Sequence, residues 1–101
     1  MKRMPFVIAL AILGASVAPS SAIDVPPPGA AACSGCHPAS RWVGTPFARL
    51  VGRNATEIVS AMQEFRIGQR PATVMGGIAR GFTDVEIRAI AAWYAKQTDA
   101  P

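Results

Sequence analysis

Cys33-Ser34-Gly35-Cys36-His37 is the stretch that decides how this chain is read. It holds both cysteines and the only histidine of the 101 residues. Ala30, Ala31 and Ala32 lead into it and are good helix formers. Pro38 follows at once and stops any helix behind it. Residues 29–33 therefore read as a short helical turn ending in the motif. Residues 23–29 form a leader in which Pro26, Pro27 and Pro28 favour polyproline II.

Toward the C-terminus, residues 38–53 carry Pro38, Gly44, Pro46 and Gly52 as turn punctuation. They also carry Trp42, Val43, Phe47, Leu50 and Val51, too apolar for a solvated loop, so they must cover something. Asn54 is a good N-cap, with Glu57 at the capping-box spacing. Ile58, Met62 and Phe65 recur at helical spacing, and Gly68 suits the C′ position. These signals predict a helix over 55–67. Pro71 and Gly76-Gly77 mark a loop over 69–77, followed by a short helical turn over 78–81. Thr83 and Glu86 form a second capping-box pair. It opens a helix over 84–97 with Ile87, Ile90, Ala91 and Tyr94 on one face. No period-two alternation and no internal repeat appears. The expected class is all-α, about three main helices separated by apolar loops.

Toward the N-terminus, Lys2 and Arg3 precede an apolar run over 6–17, and Ser20 and Ala22 place small residues before a cut. This layout predicts a signal peptide over 1–22, a mature domain over 23–101 and export to the periplasm. The run of about a dozen residues is short for the ~30 Å hydrocarbon core; an uncleaved membrane anchor is the alternative. The chain has 10 Lys and Arg against 6 Asp and Glu, and two of the basic residues leave with the signal. The seven arginines from 41 to 88 are dispersed, with no aromatics interleaved to make a stacking surface, which argues against nucleic acid. A mature domain of about 80 residues buries only about 60–65% of its unfolded surface. Domains this small often need a staple.

The C-x-x-C-H pattern is a haem c attachment signature. Two thiols add across two haem vinyl groups and must lie a fixed distance apart, which a helical turn with two intervening residues supplies. The next residue, His37, is then placed under the iron as an axial ligand. Small Ser34 and Gly35 let the backbone lie close to the ring edge. The alternatives fit less well. A thioredoxin-type pair expects a βαβ context. A zinc site needs two further Cys or His ligands. A Cys33–Cys36 disulfide would close a tiny loop and stabilise little. One motif implies one haem.

Bis-His coordination within the chain is excluded, so a thioether is the candidate sixth ligand. Met62 lies on a helical apolar stripe and reads as core. Met75, before Gly76-Gly77, can bring sulfur to a metal without crowding. An open iron position is the alternative. A ligating His donates Nδ1–H to a carbonyl, and Pro46 is the candidate for that role. Trp42, Phe47, Trp93 and Tyr94 are candidates to wall the haem or reach a propionate.

An early C-x-x-C-H, a Pro about ten residues on, a Met in a late loop and a C-terminal aromatic-bearing helix resemble class I cytochromes c. The resemblance implies a small fold packed around one covalently bound haem, His and Met axial ligands, and electron transfer through the haem edge. Within Met62 to Gln97, a subset fits a narrower pattern: Phe65, Arg66, Gly68, Arg70, Pro71, Thr73, Met75, Ile78, Ala79, Gly81, Thr83, Asp84 and Glu86. It resembles the cytochrome subunit of flavocytochrome c sulfide dehydrogenase. That implies Met75 as the axial ligand and a flavoprotein dehydrogenase as redox partner. Such subunits are often di-haem, whereas this chain has one motif, and Pro26 to Pro28 leave room only for a stub of N-terminal helix. The expected role is thus electron transfer with no substrate chemistry of the chain's own. A free soluble shuttle and a gas-binding or sensor haem protein are the alternatives. Arg66, Arg70 and Arg80 are candidates to rim a docking patch.

Overall fold

Local signals set the helices. The computed structural model describes residues 25–98, together with 2, 3, 11 and 14–16. The expected cut after Ala22 and most of the apolar run lie outside the described residues. Four helices follow in order: α1 Ala30–Cys33, α2 Ala55–Arg66, α3 Met75–Arg80 and α4 Asp84–Lys96. No extended strand occurs among the described residues, in keeping with an all-α class.

Asn54 Oδ1 accepts the N–H groups of Thr56 and Glu57 at 2.8 and 3.3 Å, which starts α2. Its far end closes on Gly68 at φ 79°. There Gln69 N–H reaches Glu64 O at 2.9 Å and Gly68 N–H reaches Phe65 O at 3.3 Å, the paired bonds of a Schellman end. α4 opens on a reciprocal capping box: Glu86 N–H to Thr83 Oγ1 at 3.2 Å and Thr83 N–H to Glu86 Oε1 at 2.9 Å.

α3 departs from expectation, beginning at Met75 rather than at 78. Val74 O accepts Gly77 and Ile78 N–H at 3.1 and 3.2 Å. Glycine lowers helix propensity but does not forbid the conformation. A Cβ on Gly76 would meet Phe65 O and the Arg80 side chain at 3.5 Å, an ordinary contact, and one on Gly77 would meet nothing within 4 Å, so packing demands neither glycine.

The core is small. Ile87, Ile90, Ala91 and Tyr94 of α4 are all buried, joined by Ala30, Val51, Ile58 and Ala79. Met62 packs against this cluster, as its stripe predicted. α2 packs on both α3 and α4. At the corner, Arg66 Nη1 meets Asp84 Oδ1 at 2.5 Å and Nη2 donates to Phe82 O at 2.7 Å. Arg66 holds the Asp84 carboxyl below its ordinary 3.8.

Thr83→Ala should cost about 1 kcal/mol of unfolding free energy by urea denaturation, the usual value of an N-cap. Asp84 titrates lower in the folded chain than unfolded, so its pairing stabilises the fold above the ordinary value and fades as pH falls through the folded one. The stability difference between wild type and Asp84→Asn should therefore be present at neutral pH and shrink below about 3.8 when followed by denaturation across pH.

Candidate functional site

The Cys-rich turn starts from Gly29, which caps α1 at φ 86°. A Cβ there would sit 2.5 Å from Phe82 Cε1 and 3.7 Å from Ile90 Cδ1. Only glycine allows both that backbone and that approach. Beyond α1 the chain keeps turning: Ser34 N–H to Ala31 O at 3.3 Å, Gly35 N–H to Ala32 O at 3.2 Å, and Cys36 N–H to Cys33 O at 3.2 Å. His37 N–H then returns to Cys33 O at 2.9 Å. Cys33, Cys36 and His37 thus share one turn, as their spacing predicted.

Both thiols are free; Cys33 is half-buried and Cys36 exposed. Burial pushes the Cys33 thiol above its ordinary 9.0, opposed by hydrogen bonding from its backbone and from the Tyr94 hydroxyl. His37 Nδ1 lies 2.5 Å from Ala48 O. A carbonyl only accepts, so Nδ1 carries the proton and the lone pair of the neutral ring is on Nε2. Nε2 has no hydrogen-bond partner among the described residues. The Phe47 ring stands edge-on to the imidazole at 6.1 Å and 68°.

The carbonyl expected from Pro46 is supplied instead by Ala48. Thr45 Oγ1 accepts Phe47 N–H at 3.2 Å, a side-chain turn that bends the chain between Pro46 and the ring. Met75 stands on a separate element, half-buried at the head of α3, and no hydrogen bond or ring contact ties it to the His37 turn. Trp42 is 77% exposed, with the Arg41 guanidinium 5.4 Å from its ring centre. Val43, Phe47, Val74 and Ile78 are also exposed. No segment among the described residues covers this apolar set.

Tyr94 does not turn its hydroxyl toward a site for a carboxylate. It is 1% exposed, and its hydroxyl lies 2.5 Å from Ala30 O and 2.9 Å from Ser34 Oγ, behind the turn. Trp93 stacks edge-on against Tyr94 at 4.8 Å, and its buried Nε1 has no hydrogen-bond partner among the described residues. Of the arginines expected at a rim, Arg66 is tied to Asp84 and Phe82, and Arg70 pairs with Glu64 at 2.8 Å. Sequence reading missed Ala48 and Ser34 as hydrogen-bond partners; the Thr45-to-Phe47 spacing was the one available clue to the first.

The donor set fits a haem. It offers two free thiols on one turn, an imidazole with its Nε2 lone pair free, a thioether, and apolar side chains lacking cover. The unpartnered Trp93 N–H fits a buried acceptor, since leaving such a group alone costs about 1–3 kcal/mol.

Comparison with known proteins agrees. No protein-family profile matches the chain. A cytochrome c-554(548) from Halomonas halodenitrificans is 35% identical over 69 residues, covering 64% of this chain and 83% of that protein. The chain belongs to the cytochrome c family. It is also 34% identical over 62 residues to the cytochrome subunit of sulfide dehydrogenase from Chlorobaculum tepidum, covering 61% of this chain and 56% of that one. It is 37% identical over 67 residues to a thiosulfate dehydrogenase electron acceptor from Stutzerimonas stutzeri, 62% of this chain and 31% of that protein. This cytochrome thus spans less than two thirds of either sulfur-linked relative. Family membership implies haem c as its cofactor. No helix among the described residues is long and apolar enough to cross a membrane.

Gly29→Ala should destabilise this cytochrome by about 3 kcal/mol, combining a left-handed backbone penalty with overpacking against Phe82. Adding Phe82→Leu should recover the overpacking part alone, as read by urea denaturation of the double variant.

Proposed function

We propose that this chain is a periplasmic electron carrier with one haem c, held by thioethers to Cys33 and Cys36 and ligated by His37 and Met75. The observation that carries the reading is the Cys33–His37 turn, with both thiols free and the imidazole fixed through Nδ1 so that Nε2 is the available donor. The haem supplies a one-electron iron couple. The chain's residues set that couple's surroundings: Ala48 O orients His37 and raises its basicity as a donor. The thioether of Met75 favours the reduced iron and raises the potential. Trp42, Val43, Phe47, Val74 and Ile78, exposed as the chain stands, are the apolar cover that keeps water from the metal.

The partner is a dehydrogenase acting on a reduced sulfur compound. The sulfide dehydrogenase subunit and the thiosulfate dehydrogenase electron acceptor among the relatives support this choice. A flavoprotein subunit is the donor the sequence pattern over Met62 to Gln97 favours. Export rests on the basic start, apolar run and small residues before Ala22. The chain itself performs no bond-making on a substrate.

The test is the visible spectrum of the exported protein, oxidised and reduced, beside Met75→Ala. Wild type should show a reduced c-type spectrum and, when oxidised, the weak far-red band of an iron–thioether bond. Met75→Ala should lose that band, bind carbon monoxide readily and shift to a lower midpoint potential. A wild type that lacks the band and binds carbon monoxide is a gas-binding protein. A wild type without haem, from a host competent in attachment, defeats the proposal.

A further inference from the structure

Two separate parts of the chain hold His37. Its backbone belongs to the Cys33 turn, where His37 N–H reaches Cys33 O at 2.9 Å. Its ring is tied to the loop over 38–53, where Nδ1–H reaches Ala48 O at 2.5 Å. An imidazole fixed at only one of these points could still tilt about its side-chain bonds. Fixing both leaves Nε2 a single direction to face.

Both supports converge on Tyr94 of α4. The Tyr94 hydroxyl has one proton, and Ala30 O, 2.5 Å away, can only accept it. The Ser34 hydroxyl, 2.9 Å away, must then donate to the Tyr94 oxygen. These two bonds grip the chain on either side of Cys33. The backbone carbonyl of Tyr94 meanwhile accepts Gly52 N–H at 3.0 Å, inside a tight turn in which Arg53 N–H reaches Leu50 O at 3.0 Å. That bond ties down the end of the loop that carries Ala48. Tyr94 itself has little freedom: its ring is buried and meets Trp93 edge-on at 4.8 Å.

We propose that Tyr94 is a positioning residue for His37 in the finished haem protein: its hydroxyl holds the turn and its carbonyl holds the loop, so that Nε2 meets the iron in one orientation. This rests on the His37 ligation reading above, and it acts once the haem is in place and the chain is folded. A well-seated imidazole is the stronger donor, and donation favours the oxidised iron. Loosening the turn weakens that donation and raises the potential.

The test compares haem-loaded wild type, Tyr94→Phe, Ser34→Ala and Thr83→Ala. Thr83→Ala is the control, since it weakens α4 at the end far from Tyr94. Three quantities are read: hydrogen exchange of the His37 backbone amide, exchange of its Nδ1 proton, and the midpoint potential. Tyr94→Phe loses the hydroxyl and keeps the carbonyl. Its His37 amide should exchange roughly fivefold faster, the factor a net hydrogen bond represents, while the Nδ1 proton stays as protected as in wild type. The ratio of oxidised to reduced protein at a fixed ambient potential should fall by the same factor, a rise of about 40 mV at ~59 mV per tenfold. Ser34→Ala should move amide exchange and potential the same way by less, and Thr83→Ala should leave both at wild-type values. If Tyr94→Phe yields no folded haem protein, Ser34→Ala decides, since it removes one link at an exposed position. Wild-type exchange and potential in both variants, or an equal change in Thr83→Ala, overturn the positioning role and leave the proposed function standing. A wild type without haem overturns both.

Discussion

Four residues are too few for a helix to hold itself in water, so α1 keeps its shape only by lying against α4. The contact is built from size differences. Gly29 has no Cβ, and Ala30, fully buried, has only a small one; this lets Phe82, Ile90 and Tyr94 come up close. Once α1 is seated, the next residues wind on through successive amide-to-carbonyl bonds and bring His37 N–H back to Cys33 O. α2 supports α4 from another side, and Arg66 fixes the corner where α3 hands over to α4. Placement of the motif is therefore a tertiary property, although the motif itself is five consecutive residues.

The distribution of apolar side chains makes the same point about the opposite face. Among the described residues, Tyr94 and Ile87 are the largest side chains buried almost completely, while Trp42, Phe47, Val74 and Ile78 meet solvent. Burial of apolar area stabilises a fold by about 25 cal/mol per Å². Side chains left uncovered contribute none of it. A flat apolar cofactor against the loops around 38–53 and 69–78 would bring these residues into the interior.

What could be read in the sequence was what is decided locally. Asn54, Thr83 with Glu86, and Gly68 act through bonds within a few residues, and each takes its expected place. The stripe Ile87, Ile90, Ala91 and Tyr94 is buried because a helical period fixes a face whatever it packs on. The start of α3 was misplaced because Gly76-Gly77 reads as a breaker, whereas glycine only lowers helix propensity and Val74 O accepts the Gly77 and Ile78 N–H groups. Ala48 rather than Pro46 pairs with His37, since the path of a loop depends on a side-chain turn at Thr45. The role of the Tyr94 hydroxyl could not be read at all, because its partners lie 60 and 64 residues away.

Those separations also order events in time. A chain delivered from its N-terminus presents Cys33 and Cys36 well before Tyr94 arrives, and closing loops of that length is entropically slow. Until α4 has formed and docked, the turn with its two thiols lacks the hydrogen bonds that tie Ala30 and Ser34 to Tyr94. Helix α4 thus completes a turn whose residues lie 60 and 64 positions before its tyrosine. The final shape of the Cys33–His37 turn is therefore reached only once α4 is in place.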